Sequence, residues 1–196
     1  ADMFNLFATQ QQEPLPTPPP VRPLPERCLD YFYRHFHAAH PFAWPRDSLL
    51  SIAEETSIES LLAVMRWIGS LYIPSCPHRG HFFQETHRLV YDPSRLKDGF
   101  QVQALLLLLI ALDGQGQQDK AREILSDVER TAIEIGLNTR SFATIHGRGI
   151  PVMEESWRRT WWELFVVDGL IAGVHRSTNF LLFDITSDVA LPCEEY

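Results

Sequence analysis

Cysteine is scarce in this sequence of 196 residues. Cys28, Cys76 and Cys193 stand far apart, so no two have the short spacing of a zinc site. An odd number of cysteines also makes a poor disulfide framework. They read as reduced thiols of an intracellular protein. Basic charge is in deficit too: 17 Lys and Arg against 25 Asp and Glu leave a formal net charge of -8. A surface this acidic repels phosphate backbones, which argues against direct nucleic-acid contact by this segment. The longest apolar run, residues 102–112, is broken by Gln103 and is too short to cross a bilayer. No basic segment leads into an apolar stretch near residue 1, so a secretory signal is not expected and a soluble intracellular protein is. Neither a Gly-x-Ser-x-Gly elbow nor a Gly-x-x-x-x-Gly-Lys loop occurs.

What is present is helical periodicity. Residues 1–25 stand apart, with half of the prolines between Pro14 and Pro25 beside a run of three glutamines. They read as a flexible Pro/Gln-rich linker rather than an SH3-type ligand, and they suggest a fragment of a longer protein. From residue 26 onward, apolar positions recur at helical spacing. Cys28, Leu29, Phe32 and Phe36 predict a helix over 26–39, ended by His40-Pro41. Thr56 and Glu59 form a capping-box pattern ahead of Ile58, Leu61, Leu62, Met65 and Ile68. A shorter helix carries Phe82, Phe83, Leu89 and Val90. Asp98 and Gln101 form a second capping box before the Leu-rich run, a helix apolar on nearly every side.

A helix over 118–135 shows Ala121, Ile124, Leu125, Val128 and Ala132 on one face, and Gly136 supplies its left-handed stop. Residues 138–152 read as a loop. A long aromatic helix spans 151–174, and residues 179–191 read as irregular or extended. Strand signals are nearly absent. The expected fold is all-α, a multi-helix bundle of antiparallel helix pairs.

The most specific segment runs from Glu154 to Asp168. Glu155 can pair with Arg159, and Glu154 with Arg158, at i,i+4. Trp157, Trp161, Leu164 and Phe165 share one face. Trp162, Val166, Gly169 and Gly173 line another, where the glycines would permit close helix approach. Asp168 falls on the aromatic stripe and needs a hydrogen-bond or cationic partner if it is buried.

This segment resembles the signature helix of the fungal-specific transcription factor domain, the middle homology region of fungal zinc-cluster transcription factors. Cys28 to Phe42 resembles its opening Tyr-Phe helix and His-Pro-Phe turn. Residues 102–108 resemble its glutamine-and-leucine helix, Ile135-Gly136-Leu137 its Leu-Gly-Leu-like turn, and Asp188 to Pro192 its closing tail. The likeness covers roughly residues 26–196 in the family's order. Two positions depart: Asp168-Gly169 stands where the family often has Asp-Arg, and His175-Arg176-Ser177 where it has Gly-Arg-Pro.

The resemblance implies a nuclear regulatory module of RNA polymerase II transcription that carries no reaction. It implies that residues 26–196 are the N-terminal half of a larger helical domain. Zinc and DNA reading would belong to an upstream six-cysteine cluster, with no cofactor in this segment. Implied partners are a transcriptional co-regulator or a domain of the same protein, a small-molecule effector, and a second copy, with no membrane. Arg158, Arg159, Trp161, Trp162 and Asp168 are then architectural residues of the central helix, with no catalytic and no metal-binding residue.

His35, His37 and His40, or Cys76, His78, His81 and His87, could suggest a metal, and with it a metal-dependent enzyme. His35 and His37 lie 200° apart on a helix, and the second group needs a loop to wrap the ion. Arg158 and Arg159 beside two tryptophans could stack bases, and residues 102–112 could line a ligand cavity. A free-standing helical scaffold for protein partners is the alternative from another class.

Overall fold

The computed structural model describes residues 22–53, 58–175 and 180–193. Among these the fold is all-α, with no strand. The Thr56 capping position and the linker up to residue 21 lie outside the described residues.

Helix α1 (Leu24–Tyr31) starts behind Pro23 and runs into a π turn, Phe32–Phe36. The wider turn replaces the plain α-helix expected over 26–39, with the His37 N–H reaching back to the Phe32 carbonyl at 3.0 Å. It keeps Phe32 and Phe36 buried and stacked, ring centroids 5.5 Å apart. Helix α2 (Arg46–Ala53) was not expected from the sequence. Its signal was a proline ahead of apolar residues three apart: the Pro45 carbonyl accepts from the Leu49 N–H, and Leu49 is buried.

Helix α3 (Glu59–Leu71) and helix α4 (Arg79–Val90) pack together, and the Arg79 guanidinium closes the end of α3 by donating to the Ser70 and Ile73 carbonyls. A cation there offsets the negative end of the helix dipole. Helix α5 (Gly99–Gly114) starts as expected, with the Asp98 carboxylate accepting from the Gln101 N–H at 2.8 Å. The reciprocal half of the box is missing, because the Gln101 amide donates to the Val90 carbonyl. Residues 102–109 of α5 are all buried.

Helix α6 (Gln118–Glu134) ends in a Schellman turn. Gly136 has φ +79°, and the Leu137 N–H reaches the Ala132 carbonyl at 2.9 Å. Helix α7 (Arg140–Gly147) lies where the turn-forming residues of 138–152 suggested a loop. Its first-turn Arg140 N–H is capped by the Asp188 carboxylate at 2.7 Å, from 48 residues away, which no local reading could supply. Helix α8 (Pro151–His175) is the long aromatic helix, followed by a 3-10 turn, Leu181–Asp184, and an extended tail.

The core is one cluster that draws on every helix, with α5 sheathed by α3, α6 and α8 and touched by α4. Trp44, Phe100, Phe142 and Trp157 meet at ring-centroid distances of 5.1–6.0 Å, tying the 41–45 turn, α5, α7 and α8 together. Two glycines set how closely helices approach. A Cβ on Gly99 would lie 2.6 Å from the Trp157 ring, and one on Gly69 only 1.8 Å from the Cys28 carbonyl oxygen. Backbone cannot yield there as a flexible side chain would. Gly69→Ala is therefore expected to cost about 3 kcal/mol or more through forced separation of α1 and α3. Gly80→Ala, in the open first turn of α4, should be neutral or gain up to about 1 kcal/mol. Chemical denaturation of both variants checks the contrast.

Candidate functional site

Helix α8 shows three kinds of surface. Its buried stripe carries Trp157, Trp161, Leu164 and Asp168. Trp161 is completely enclosed, and Thr160 and Ser156 beside it join a buried polar network. The Gln103 amide donates to both hydroxyls at 2.9 Å, while Ser156 donates to the Phe42 carbonyl and Thr160 to the Ser156 carbonyl. Since both hydroxyls donate elsewhere, each must accept from Gln103, which fixes the orientation of the amide. The lone glutamine in the Leu-rich run thus pins α5, α8 and the 41–45 turn in register.

The second surface is the acid–arginine cluster. One carboxylate, Glu155, takes both arginines: Arg159 Nε at 2.8 Å and Arg158 Nη2 at 2.9 Å. Glu154 is more distant from Arg158, at 3.8 Å. These groups also hold the chain tail. The Cys193 N–H donates to Glu155 at 2.8 Å, Arg159 donates to the Cys193 carbonyl at 3.2 Å, and Trp162 Nε1 donates to the Ala190 carbonyl at 3.0 Å. Burial pushes the Glu155 carboxyl up, but the hydrogen bonds from Arg159, Arg158 and the Cys193 N–H outweigh it and hold it below the usual range. The tail thus runs back along α8.

The third surface departs from expectation. Among the described residues, Trp162, Val166, Gly169 and Gly173 do not receive another helix. Val166, Leu170 and Val174 are 52%, 59% and 69% exposed, and no atom of the described residues lies within 4 Å of a Cβ placed on Gly173. Gly169 instead faces the Phe180 ring, 3.2 Å from its would-be Cβ.

Asp168 has partners of an unexpected kind. Its Oδ2 accepts from the Leu182 N–H at 2.8 Å, and the carboxyl of Glu129 on α6 is its electrostatic neighbour, while no cation among the described residues perturbs it. Two buried carboxyls side by side cannot both ionise cheaply. Burial and the neighbouring Asp168 charge push Glu129 up to about 8, and burial raises Asp168 as well. Glu129 escaped the sequence reading, although an acid four residues after Leu125 and three before Ala132 on the apolar face of α6 was the available signal.

The histidines are engaged separately. His35 stacks on Tyr72, His37 meets the Ala43 carbonyl at 2.9 Å, and His40 pairs with Glu163 at 2.6 Å. Among the described residues no three His, Cys, Asp or Glu come together as a metal would need. A cavity of about 520 Å³ opens beside the acid–arginine cluster, lined by His37, Pro41, Pro45, Val152 and Arg158 among others. None of residues 102–112 lines it; residues 102–109 are core, and Ile110 and Ala111 edge a separate cavity of about 350 Å³ beside His35 and Tyr72.

The motifs that resemble one family thus converge on a single helix: the opening turn, the glutamine helix and the closing tail all contact α8. The model of the fungal specific transcription factor domain matches residues 29–196. The chain belongs to that family. It is also 64% identical over 171 residues to the C6 finger domain transcription factor iacK of Pestalotiopsis fici. That match covers 87% of this chain and 26% of the relative, so the chain spans about a quarter of that protein's length. No solved structure matches. The missing arginine of the family's Asp-Arg pattern has a local counterpart here, since a side chain at Gly169 would displace Phe180. No helix among the described residues is long and apolar enough to cross a membrane.

Two outcomes follow from this geometry. Trp161→Ala should destabilise the domain by roughly 3–5 kcal/mol, and a thermal midpoint near that of the parent chain would refute its packing role. Folded Glu129 keeps its proton up to about pH 8, whereas the unfolded chain releases it near 4.5. Its contribution to stability is therefore full below about 4.5 and is lost as pH rises through 8. Glu129→Gln retains a donor without the titration. Relative to the parent chain its thermal midpoint should rise progressively as pH is raised from 5 to 8.5.

Proposed function

We propose that this chain is the regulatory and interaction region of a fungal zinc-cluster transcription regulator, acting in the nucleus and leaving DNA recognition to another part of the protein. The observation that carries this reading is the family membership, together with the relative's description as a C6 finger domain transcription factor. The formal charge of -8 supports a role away from the phosphate backbone. So does the engagement of Arg158 and Arg159, which hold Glu155 and the tail instead of projecting from a basic face. Nothing in this region is asked to carry a reaction. Arg158, Arg159, Trp161, Trp162 and Asp168 act as architecture: two arginines and Trp162 fasten the tail, Trp161 fills the core, and Asp168 joins α6, α8 and the 3-10 turn.

Its partners are a co-regulator, another domain of the same protein or a second copy. The exposed Val166, Leu170 and Val174 support such an association, because a stripe of three aliphatic residues at i,i+4 spacing gains by leaving water. A small-molecule effector has the apolar cavity beside α8 available to it.

The decisive test is the transcript-verified parent sequence ahead of residue 1. Six cysteines in zinc-cluster spacing support the regulator, and their absence favours a free-standing interaction scaffold. Independently, the purified chain should retard no duplex DNA at micromolar concentration in low salt. Tight binding under those conditions would overturn the division of labour.

A further inference from the structure

The cavity beside the acid–arginine cluster, about 520 Å³, falls within the roughly 300–1,000 Å³ range of small-molecule sites. The 41–45 turn and the first turns of α8 build most of its wall, and their polar groups are nearly all engaged. Pro41, Pro45 and Pro151 have no backbone N–H to leave unpaired. The carbonyls of Pro41, Ala43 and Pro45 already accept, from Arg159, His37 and the Leu49 N–H respectively. A carbonyl cannot donate, so His37 Nε2 carries the proton in its contact. The Ser156 hydroxyl donates to the Phe42 carbonyl and accepts from Gln103. Both Glu155 oxygens are taken, one by Arg159 and the Cys193 N–H, the other by Arg158 Nε and Nη2. Arg158 differs from these. Its fork on Glu155 fixes the guanidinium plane, yet Nη1 makes no hydrogen bond among the described residues and lies 3.8 Å from Glu154. A positioned donor thus stands on a largely apolar wall. Charge then narrows the ligand. Glu154 and Glu155 balance Arg158 and Arg159, so an anionic head would gain little attraction while nearing two carboxylates. A cation would compete with the arginines for oxygens they already hold.

We propose that this cavity binds an uncharged, mainly apolar molecule whose carbonyl oxygen accepts a hydrogen bond from Arg158 Nη1. The proposal rests on the reading that the region takes a small-molecule effector, and it adds the chemical class of that molecule. An apolar body covers the prolines without stranding a backbone donor, and the carbonyl satisfies the guanidinium nitrogen that the fold leaves open.

The test titrates the full chain calorimetrically with three compounds of one frame. Benzophenone is a neutral ketone, diphenylmethane lacks its oxygen, and 4-benzoylbenzoate adds a carboxylate. Benzophenone should bind saturably, and each of the other two at least about tenfold more weakly. Arg158→Met keeps the apolar stem without the donor. It should lower the affinity for benzophenone to that for diphenylmethane and leave diphenylmethane unchanged. Val152→Phe narrows the cavity but retains Arg158, and should weaken all three. Circular dichroism and thermal unfolding verify that both variants are folded. Irradiation of bound benzophenone inserts it into nearby C–H bonds. The adducts should fall on tryptic residues 35–46 and 149–158, the two peptides that carry the wall. Equal affinity for benzophenone and diphenylmethane, or tighter binding of 4-benzoylbenzoate, would overturn the carbonyl assignment while leaving a small-molecule effector for the region. Adducts confined to other peptides would overturn the site in the same way. Absence of saturable binding by all three would overturn the proposal and withdraw the support that the cavity lends to an effector.

Discussion

Helix α5 has no face that it can show to water. An ordinary surface helix buries one stripe and leaves the rest solvated, but residues 102–109 here are buried all round. That single constraint dictates the architecture, because other helices must cover α5 on every side. Helices α3 and α6 cover two sides and α8 a third, each contributing an apolar stripe. A fully apolar rod would be free to slide within such a sheath. Gln103 prevents this: its amide must satisfy Ser156 and Thr160 on α8, and Ser156 in turn holds the Phe42 carbonyl. A buried polar group with specified partners fixes register at positions where hydrophobic packing alone is permissive.

The family signature acquires physical content in this setting. The segments that resemble the family are distant in sequence and become neighbours through α8 and the elements beside it. The opening turn delivers Phe42 to the polar network and His40 to Glu163. The closing tail runs back along α8, fastened by Trp162, Arg159 and Glu155, while its Asp188 caps α7. One member of each pair, Arg159 and Trp162, thus meets one demand, that an extended segment be held on a helix surface, while Arg158 steadies Glu155 and Trp161 fills the core. Extended chain has backbone groups to satisfy, and arginine and tryptophan supply donors while their stems cover apolar surface.

Charge is managed by two opposite devices on the same helix. Near its start, one carboxylate is held ionised by two guanidiniums and a backbone N–H. Two turns beyond the tryptophan pair, Asp168 is enclosed with another carboxyl and no cation among the described residues, so the pair retains a proton. The first arrangement contributes stability that is lost as pH falls through the lowered pKa of Glu155, and the second loses stability as pH rises. Both connect α8 to chain that follows it, through Cys193 and Leu182 respectively.

The sequence by itself determined the helical class, the extents of α5, α6 and α8 and the family. Apolar spacing and local caps such as Asp98 and Gly136 act within a few residues and can be read there. The family likeness rested on five short motifs in order, which again are local strings. Helix α7 was hidden because its cap arrives from Asp188, 48 residues away. The partner of Asp168 was hidden for the same reason: Glu129 meets it only after α6 and α8 pack. The expected helix contact at Gly173 failed because small residues permit close approach but do not supply the partner. Tertiary structure alone decided which donors meet which acceptors, since that matching depends on how packed helices align across the core and not on spacing along any one of them.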